Sequence, residues 1–256
     1  NAKKHHQLGQ VFVMGCLSQR YREELQEEIP EVDDYFGVDD LPSIISKLGG
    51  QYRLDLVGER LRTTPGHYAY LKIAEGCDRQ CSFCAIPSIR GRHRSRPVEE
   101  ILREATRMVG EGVREIILIS QDTTYYGLDI YHKRLLPELM ESLARIDGLA
   151  WLRLHYTFPH GFPESLTKVI QAHPNICKYI DIPLQHISNR ILSSMRRGIN
   201  GDSTRRLIDK IRHDIPGVAI RTTFITGYPG ETTREFKELR DFIEQARFDR
   251  VGVFPY

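Results

Sequence analysis

The run Cys77-Asp78-Arg79-Gln80-Cys81-Ser82-Phe83-Cys84 sets three cysteines in a Cys-x3-Cys-x2-Cys pattern. Iron–sulfur cubanes are usually closed by four thiolates. Three thiolates would hold three irons and leave the fourth open to a ligand, so the spacing points to chemistry as well as to structure. Other readings compete. The chain has five cysteines, an odd number, and a disulfide scaffold is not expected. A structural zinc site needs four ligands, commonly two pairs. Here His93 is the candidate fourth ligand, and a second pair is missing. Chance clustering of core cysteines fits poorly, because Asp78, Arg79 and Gln80 are polar and Gly76 precedes the run, as in an exposed loop.

Outward from this loop the chain alternates. A strand over 68–73 leads directly into the cysteines. Pro97 suits the first turn of a helix, and Val98, Ile101, Leu102, Ala105, Met108 and Val109 keep helical spacing until Gly110 and Gly112. Strands follow over 116–119, 151–154, 179–182, 218–225 and 251–254. Between them lie helices over 135–146, 163–172, 189–195 and 203–213, and a last helix opened by a Thr232/Glu235 capping box. Six strands, each but the last followed by helix, predict an α/β fold with a parallel sheet. Six units are fewer than the eight of a closed barrel, so the expected architecture is an open, partial (β/α)6 barrel over 68–256. Ahead of it, 1–50 reads as the remnant of a small α/β domain: a strand over 11–14, a helix over 21–28, a strand over 35–38 and a helix capped by Asp40 and ended by Gly49-Gly50. The polar stretch 51–67 reads as a linker.

In open α/β folds ligands bind at the carboxyl ends of strands. The cysteine loop lies at one such end. Others carry Ser120-Gln121-Asp122-Thr123-Thr124, His155-Tyr156, Pro183-Leu184-Gln185-His186 and Gly227-Tyr228-Pro229-Gly230-Glu231, with Arg221 inside the fifth strand. Gln121 and Asp122 could accept from an ammonium, and the fork of Arg221 matches a carboxylate. Each has a plainer alternative: Asp122 as a turn cap, His155 and His186 as satisfied core histidines, Gly230-Glu231 as a helix start. The basic run Arg90-Gly91-Arg92-His93-Arg94-Ser95-Arg96 reads first as a solvated loop, with contact to an acidic substrate or phosphate as the alternative.

Composition narrows the classes. With 256 residues, 40% hydrophobic, 27% charged and a formal net charge of +2, the chain is ordinary for a globular protein. Neither nucleic acid nor a membrane surface is called for by its overall charge, and no apolar stretch approaches a membrane span. The cysteine usage suggests a reducing, cytoplasmic setting.

Cys-x3-Cys-x2-Cys with Phe83 before the last cysteine resembles the radical S-adenosylmethionine (SAM) superfamily. Glu75-Gly76-Cys77 through Arg90-Gly91, Ser95-Arg96-Pro97 and Thr226-Gly227-Tyr228-Pro229-Gly230-Glu231-Thr232 resemble its methylthiotransferase family. One branch of that family modifies an adenosine of transfer RNA, the other an aspartate of small-subunit ribosomal protein twelve. Cys84-Ala85-Ile86-Pro87-Ser88-Ile89-Arg90-Gly91, Ser120 through Gly127, and Asp181-Ile182-Pro183-Leu184-Gln185-His186 resemble the ribosomal-protein branch. The tRNA branch typically has an Asn-Val pair after Gly-Gln at the second strand end. It is the enzymatic alternative, and a zinc-binding interaction module the non-enzymatic one.

The resemblance implies a [4Fe-4S] cluster on Cys77, Cys81 and Cys84 whose open iron chelates SAM. Phe83 would lie near the adenine, and Gln121, Asp122, Gln185 and Arg221 would hold the rest of SAM. An electron from a flavodoxin-like donor would split SAM, and the resulting 5′-deoxyadenosyl radical would take a hydrogen from the β-carbon of the aspartate. Sulfur at a second cluster, methylated by another SAM, would then reach that carbon. Nucleic acid would enter only through the ribosome or in the tRNA alternative, and no general base is implied. Cys16, in Met14-Gly15-Cys16-Leu17, matches one of three amino-terminal cysteines that hold the second cluster. The other two would lie upstream of Asn1, and the family's small carboxyl-terminal β-barrel would follow Tyr256, so the expectation is a chain truncated at both ends. Cys177 matches no ligand position and reads as a buried free thiol.

Overall fold

The computed structural model describes residues 9–52 and 63–256, so 53–62 of the expected linker lie outside the described residues. Among the described residues, 9–52 with 85–91 form one compact unit, and 63–84 with 92–256 form the other.

The first unit begins with β1 (Phe12–Met14), α1 (Cys16–Arg20), α2 (Arg22–Glu28), β2 (Asp34–Phe36) and α3 (Leu41–Lys47). β1 and β2 pair in parallel, Val13 opposite Tyr35. The single helix expected over 21–28 is preceded by a second short one, broken at Tyr21. Asp40 stands at the N-cap of α3, but its carboxylate accepts from Gly37 N (2.7 Å) and caps no helical N–H.

In the second unit β3 (Tyr68–Lys72) leads into the two-residue β4 (Ala74–Glu75) and the cysteine loop. After the loop come α4 (Ile86–Arg90), which belongs to the first unit, and β5 (Arg94–Ser95). β4 and β5 pair antiparallel; between them the cysteine loop stays in the second unit and 85–91 belong to the first. Elements of two residues, and a helix carrying Pro87, have no periodicity to read, and the sequence analysis missed them. Next follow α5 (Val98–Gly110), β6 (Glu115–Ile119), a 3-10 turn (Thr123–Tyr125), α6 (Leu136–Ala144), β7 (Trp151–Leu154), α7 (Ser165–Ala172), β8 (Tyr179–Asp181), α8 (Asn189–Ser194), α9 (Gly201–Asp214), β9 (Ala219–Thr226), α10 (Thr233–Ala246) and β10 (Arg250–Pro255).

β3-β6-β7 form one parallel sheet and β8-β9-β10 another. The parallel bridge Leu152↔Ile176 links β7 to the chain entering β8. The six units stand in chain order and the barrel is not closed among the described residues, as the alternation predicts. The sheet divides at β8 because that strand is only three residues long; Leu152 N and Cys177 N continue the ladder irregularly, to Asn175 O and Leu152 O.

Alternation within strands places the core. Ala69 and Leu71, Ile116 and Leu118, Leu152 and Leu154, and Ile220 and Phe224 are buried against the helices. Ile101, Ala105 and Met108 of α5 and Leu136, Leu139, Met140 and Leu143 of α6 meet them. Full burial of the Leu, Ile, Met and Phe side chains among them contributes about 1.5–3 kcal/mol each. The opposite strand face mixes polar side chains, Tyr70, Glu115, Arg153, His155, Asp181 and Arg221, with Ile117 and Ile119 of β6. The capping box of α10 is present on both sides, and Asn200 caps α9 through Ser203 N (2.8 Å). Pro97 sits at the N-cap of α5, one place before the expected first turn. No helix among the described residues is long and apolar enough to cross a membrane.

Candidate active site at the carboxyl rim

Gly76 (φ +78°) turns the chain out of β4 into the cysteine loop, in a conformation that favours glycine. Every following loop of the rim then holds that segment. Asp122, after β6, accepts from Arg79 Nε (2.8 Å). Arg79 Nη2 donates to His160 O (3.0 Å), after β7, and its guanidinium lies 4.0 Å from the centre of the Phe158 ring. Ser82 N donates to Met195 O (3.2 Å) and Ser82 Oγ to Ser194 O (3.0 Å), at the end of α8. Tyr228, after β9, shares a hydrogen bond with Ser82 Oγ (2.8 Å). His93 N donates to Asp78 Oδ1 (2.9 Å) on the return path.

Cys77 and Cys81 are buried and Cys84 is half-buried. Cys84 N closes a turn onto Cys81 O (3.1 Å). Burial pushes the Cys77 thiol up to about 11, opposed by the Arg79 N–H on its sulfur and reinforced by Asp122, Cys84 and Cys81. Such thiols must shed protons to take a metal. The three sulfurs are the donors on this rim that could hold iron. Among the described residues no three His, Cys, Asp or Glu side chains converge on one point as ligands of a single ion do. Cubane thiolates each bind a different iron and stand farther apart than ligands on one zinc. His93 Nε2 pairs with Ser95 Oγ (3.1 Å) and its ring lies 4.9 Å, centre to centre, from that of Tyr125, while its Nδ1 is buried without a partner.

A second feature fits an anionic centre. Arg197 is only 4% exposed; its Nη1 donates to Cys81 Sγ (3.3 Å), its Nη2 donates to Pro183 O (2.6 Å), and its Nε has no partner. Its guanidinium also lies 4.0 Å from the Phe158 ring centre. Burial presses against this charge, and the Cys81 sulfur favours it.

The other candidates are placed as follows. Phe83 packs beside the buried cluster of Ile191, Met195 and Tyr228. Gln121 donates through Nε2 to Glu75 Oε1 (2.9 Å), and its Oε1 is buried without a partner. Asp122 is fully buried and turned to the protein, accepting from Arg79 and, through Oδ1, from Thr124 N (2.9 Å) and Thr124 Oγ1 (2.6 Å). Its turn-capping alternative is therefore realised. Gln185 takes a left-handed φ of +72° between Thr223 O and Ile225 N, and its Oε1 is buried without a partner. Arg221 pairs with the fully buried Asp181 (2.9 Å). It lines an open cleft of about 480 Å³ with Tyr70, Ile119, His155, Tyr156 and Tyr179. Arg79, Asp122 and the cysteines thus form one constellation, whereas Arg221 belongs to the polar cleft.

Cys16 lies in the first unit, where Arg90 Nη2 donates to its sulfur (3.1 Å). Cys177 is half-buried, and burial raises its thiol. His186 is wholly buried between Ser188 N (3.0 Å) and Glu231 Oε1 (3.4 Å), and burial lowers its pKa, as for a satisfied core histidine. His155 stands 3.9 Å from Asp181, and burial lowers its pKa too. Sequence reasoning missed Phe158 and Arg197. Nothing in Met195-Arg196-Arg197-Gly198 marks which arginine turns inward.

"Ribosomal protein uS12 methylthiotransferase RimO" of Christiangramia forsetii is 53% identical over 254 residues, covering 99% of this chain and 56% of the relative. The protein of the same name from Flavobacterium johnsoniae is 56% identical over 246 residues, covering 96% and 56%. The chain therefore spans little more than half the length of these curated relatives. Among solved structures, the cobalamin-dependent SAM radical enzyme OxsB matches with a TM-score of 0.68 at 13% identity, over 94% of this chain and 40% of that one. The radical SAM methyltransferase TsrM from Kitasatospora setae matches with a TM-score of 0.61 at 20% identity, over 73% and 34%. At such identities the likeness concerns the fold. The sequence profile of the radical SAM superfamily matches residues 71–243, from the strand that feeds the cysteine loop to the last helix, and the chain belongs to that superfamily.

Proposed function

We propose that this chain is the catalytic part of a radical SAM methylthiotransferase that adds a methylthio group to the β-carbon of an aspartate in ribosomal protein uS12. The observation that carries this reading is the identity above 50%, over nearly the whole chain, to curated uS12 methylthiotransferases. In this reading Cys77, Cys81 and Cys84 hold a [4Fe-4S] cluster. When bound, that cluster would supply an open iron for the amino and carboxylate groups of SAM and the electron that splits it.

The chain's own residues supply the setting. Arg79, Asp122 and Phe158 fix the loop so that its sulfurs keep their spacing. The buried, unpartnered Oε1 atoms of Gln121 and Gln185 offer acceptors to the ammonium and ribose of SAM. Arg221, on the cleft, offers a fork to a carboxylate. Phe83, beside the last cysteine, is the candidate neighbour of the adenine. In a protein of the relatives' full length, Cys16 would contribute one thiolate to a second cluster that donates sulfur. A flavodoxin-like protein would supply electrons, and the work would be done in the cytoplasm.

The test begins with anaerobic rebuilding of the cluster, then dithionite and SAM, with 5′-deoxyadenosine measured. We expect a brown, iron-loaded protein that forms the product, and a folded Cys81→Ala variant that does not. A colourless protein, or normal SAM cleavage by Cys81→Ala, would refute the cluster assignment. For the substrate, a protein of the relatives' full length should modify a uS12 peptide carrying the target aspartate; modification of tRNA instead would move the chain to the other branch.

A further inference from the structure

Arg197 is a buried cation with no carboxylate hydrogen-bonded to it among the described residues. A guanidinium taken out of water is costly unless an opposite charge meets it. Its hydrogen bonds go to the Pro183 carbonyl and to the Cys81 sulfur, and its Nε is left over. Asp122, whose charge it feels, is taken by Arg79. Phe158 carries both guanidiniums over its ring, which orients them without neutralising either. A neutral thiol is a poor counterpart for this cation. A thiolate-bound cubane is anionic, and becomes more so on taking an electron, so Arg197 is matched to it in place and in sign.

We infer that Arg197 is a positioning residue that sets the reduction potential of the centre on Cys77, Cys81 and Cys84 by donating to the Cys81 sulfur. This rests on the reading of those cysteines as cluster ligands. Hydrogen bonds to ligand sulfurs and nearby charge are levers on cluster potential. A cation at Cys81 favours the reduced state, makes the electron easier to accept, and lets a weak reductant charge the site. Phe158 and the Pro183 carbonyl keep the fork in register.

The test uses the chain with its cluster rebuilt, and reads the midpoint potential by electron paramagnetic resonance in a redox titration. Arg197→Met removes the charge at similar volume. Reduction should become about tenfold less favourable, the scale of one hydrogen bond to a charged group, which is a shift of about 59 mV to more negative potential for one electron. Arg197→Lys keeps the charge and loses the fork, and should fall between Met and the parent. A purely structural role would leave the potential of the loaded protein unchanged, and that result would overturn the inference. If Arg197→Met retains no iron, Arg197→Lys decides on the same criterion. Failure of both folded variants to hold a cluster would also overturn it, because a tuning residue is dispensable for assembly. A parent chain that binds no iron would instead refute the reading of the cysteines.

Discussion

Replacing Asp122 by Asn tests whether this carboxylate holds the cysteine loop. The substitution keeps an oxygen for Thr124 and nearly the same shape, and removes the charge that faces Arg79. Hydrogen bonds to charged groups contribute about 1.5–3 kcal/mol. The pair is shielded, with the Arg79 side chain 15% exposed and that of Asp122 1% exposed, so solvent screens little of it. Arg79 keeps its contacts with Phe158 and His160 O. The loss should therefore be about 2 kcal/mol, in the middle of that range, or about 4–8 °C in melting temperature for a unit of this size. Trp151, the single tryptophan, lies on β7, so its fluorescence follows unfolding of the second unit alone. A double-mutant cycle with Arg79→Met isolates the pair. A coupling energy below about 0.5 kcal/mol, no larger than that of an exposed ion pair, would refute the view that Asp122 and Arg79 clamp the loop.

Two further outcomes follow from the same structure. Glu235 accepts from Arg190 Nε (2.7 Å), Thr232 N (2.9 Å) and Ser188 Oγ (3.2 Å), and the Arg190 bond leads in holding its carboxyl down to about 2. The folded value is below the unfolded one, so this stabilisation is present above about pH 4.5 and is lost as pH falls toward 2. Because the Arg190 side chain is 57% exposed, solvent screening leaves about 1–2 kcal/mol. Urea melts of the parent chain and Glu235→Gln should differ by that amount at pH 7 and converge near pH 2; a constant difference would contradict the assignment. Arg221→Ala should weaken SAM binding at least tenfold by calorimetry while leaving iron content unchanged, and an unaltered affinity would remove Arg221 from the SAM site.

The cysteine spacing and the alternation of strands and helices were legible because both are local. Three thiols within eight residues need no tertiary partner to be recognised. The apolar faces of α5 and α6 repeat with helical period because each helix buries a single stripe. Asp122 was legible as a rim residue, since strand ends can be located along the chain, but its partner was not. Arg79 and Asp122 are 43 positions apart, and no local pattern links them. The two-residue strands β4 and β5 escaped for a related reason: each exists only through the other.

The sequence by itself determined the superfamily's cysteine loop, the parallel α/β architecture and the rim on which chemistry would lie, because thiol spacing and hydrophobic period are properties of short segments. Only the tertiary structure decided how that loop is held and what charge faces it. Arg197 meets Cys81 across 116 positions, and Phe158 gathers Arg79 and Arg197 over one ring. A cation buried in this way needs an opposite charge to meet it, and the groups that hold it in place come together only when the strand ends share one rim.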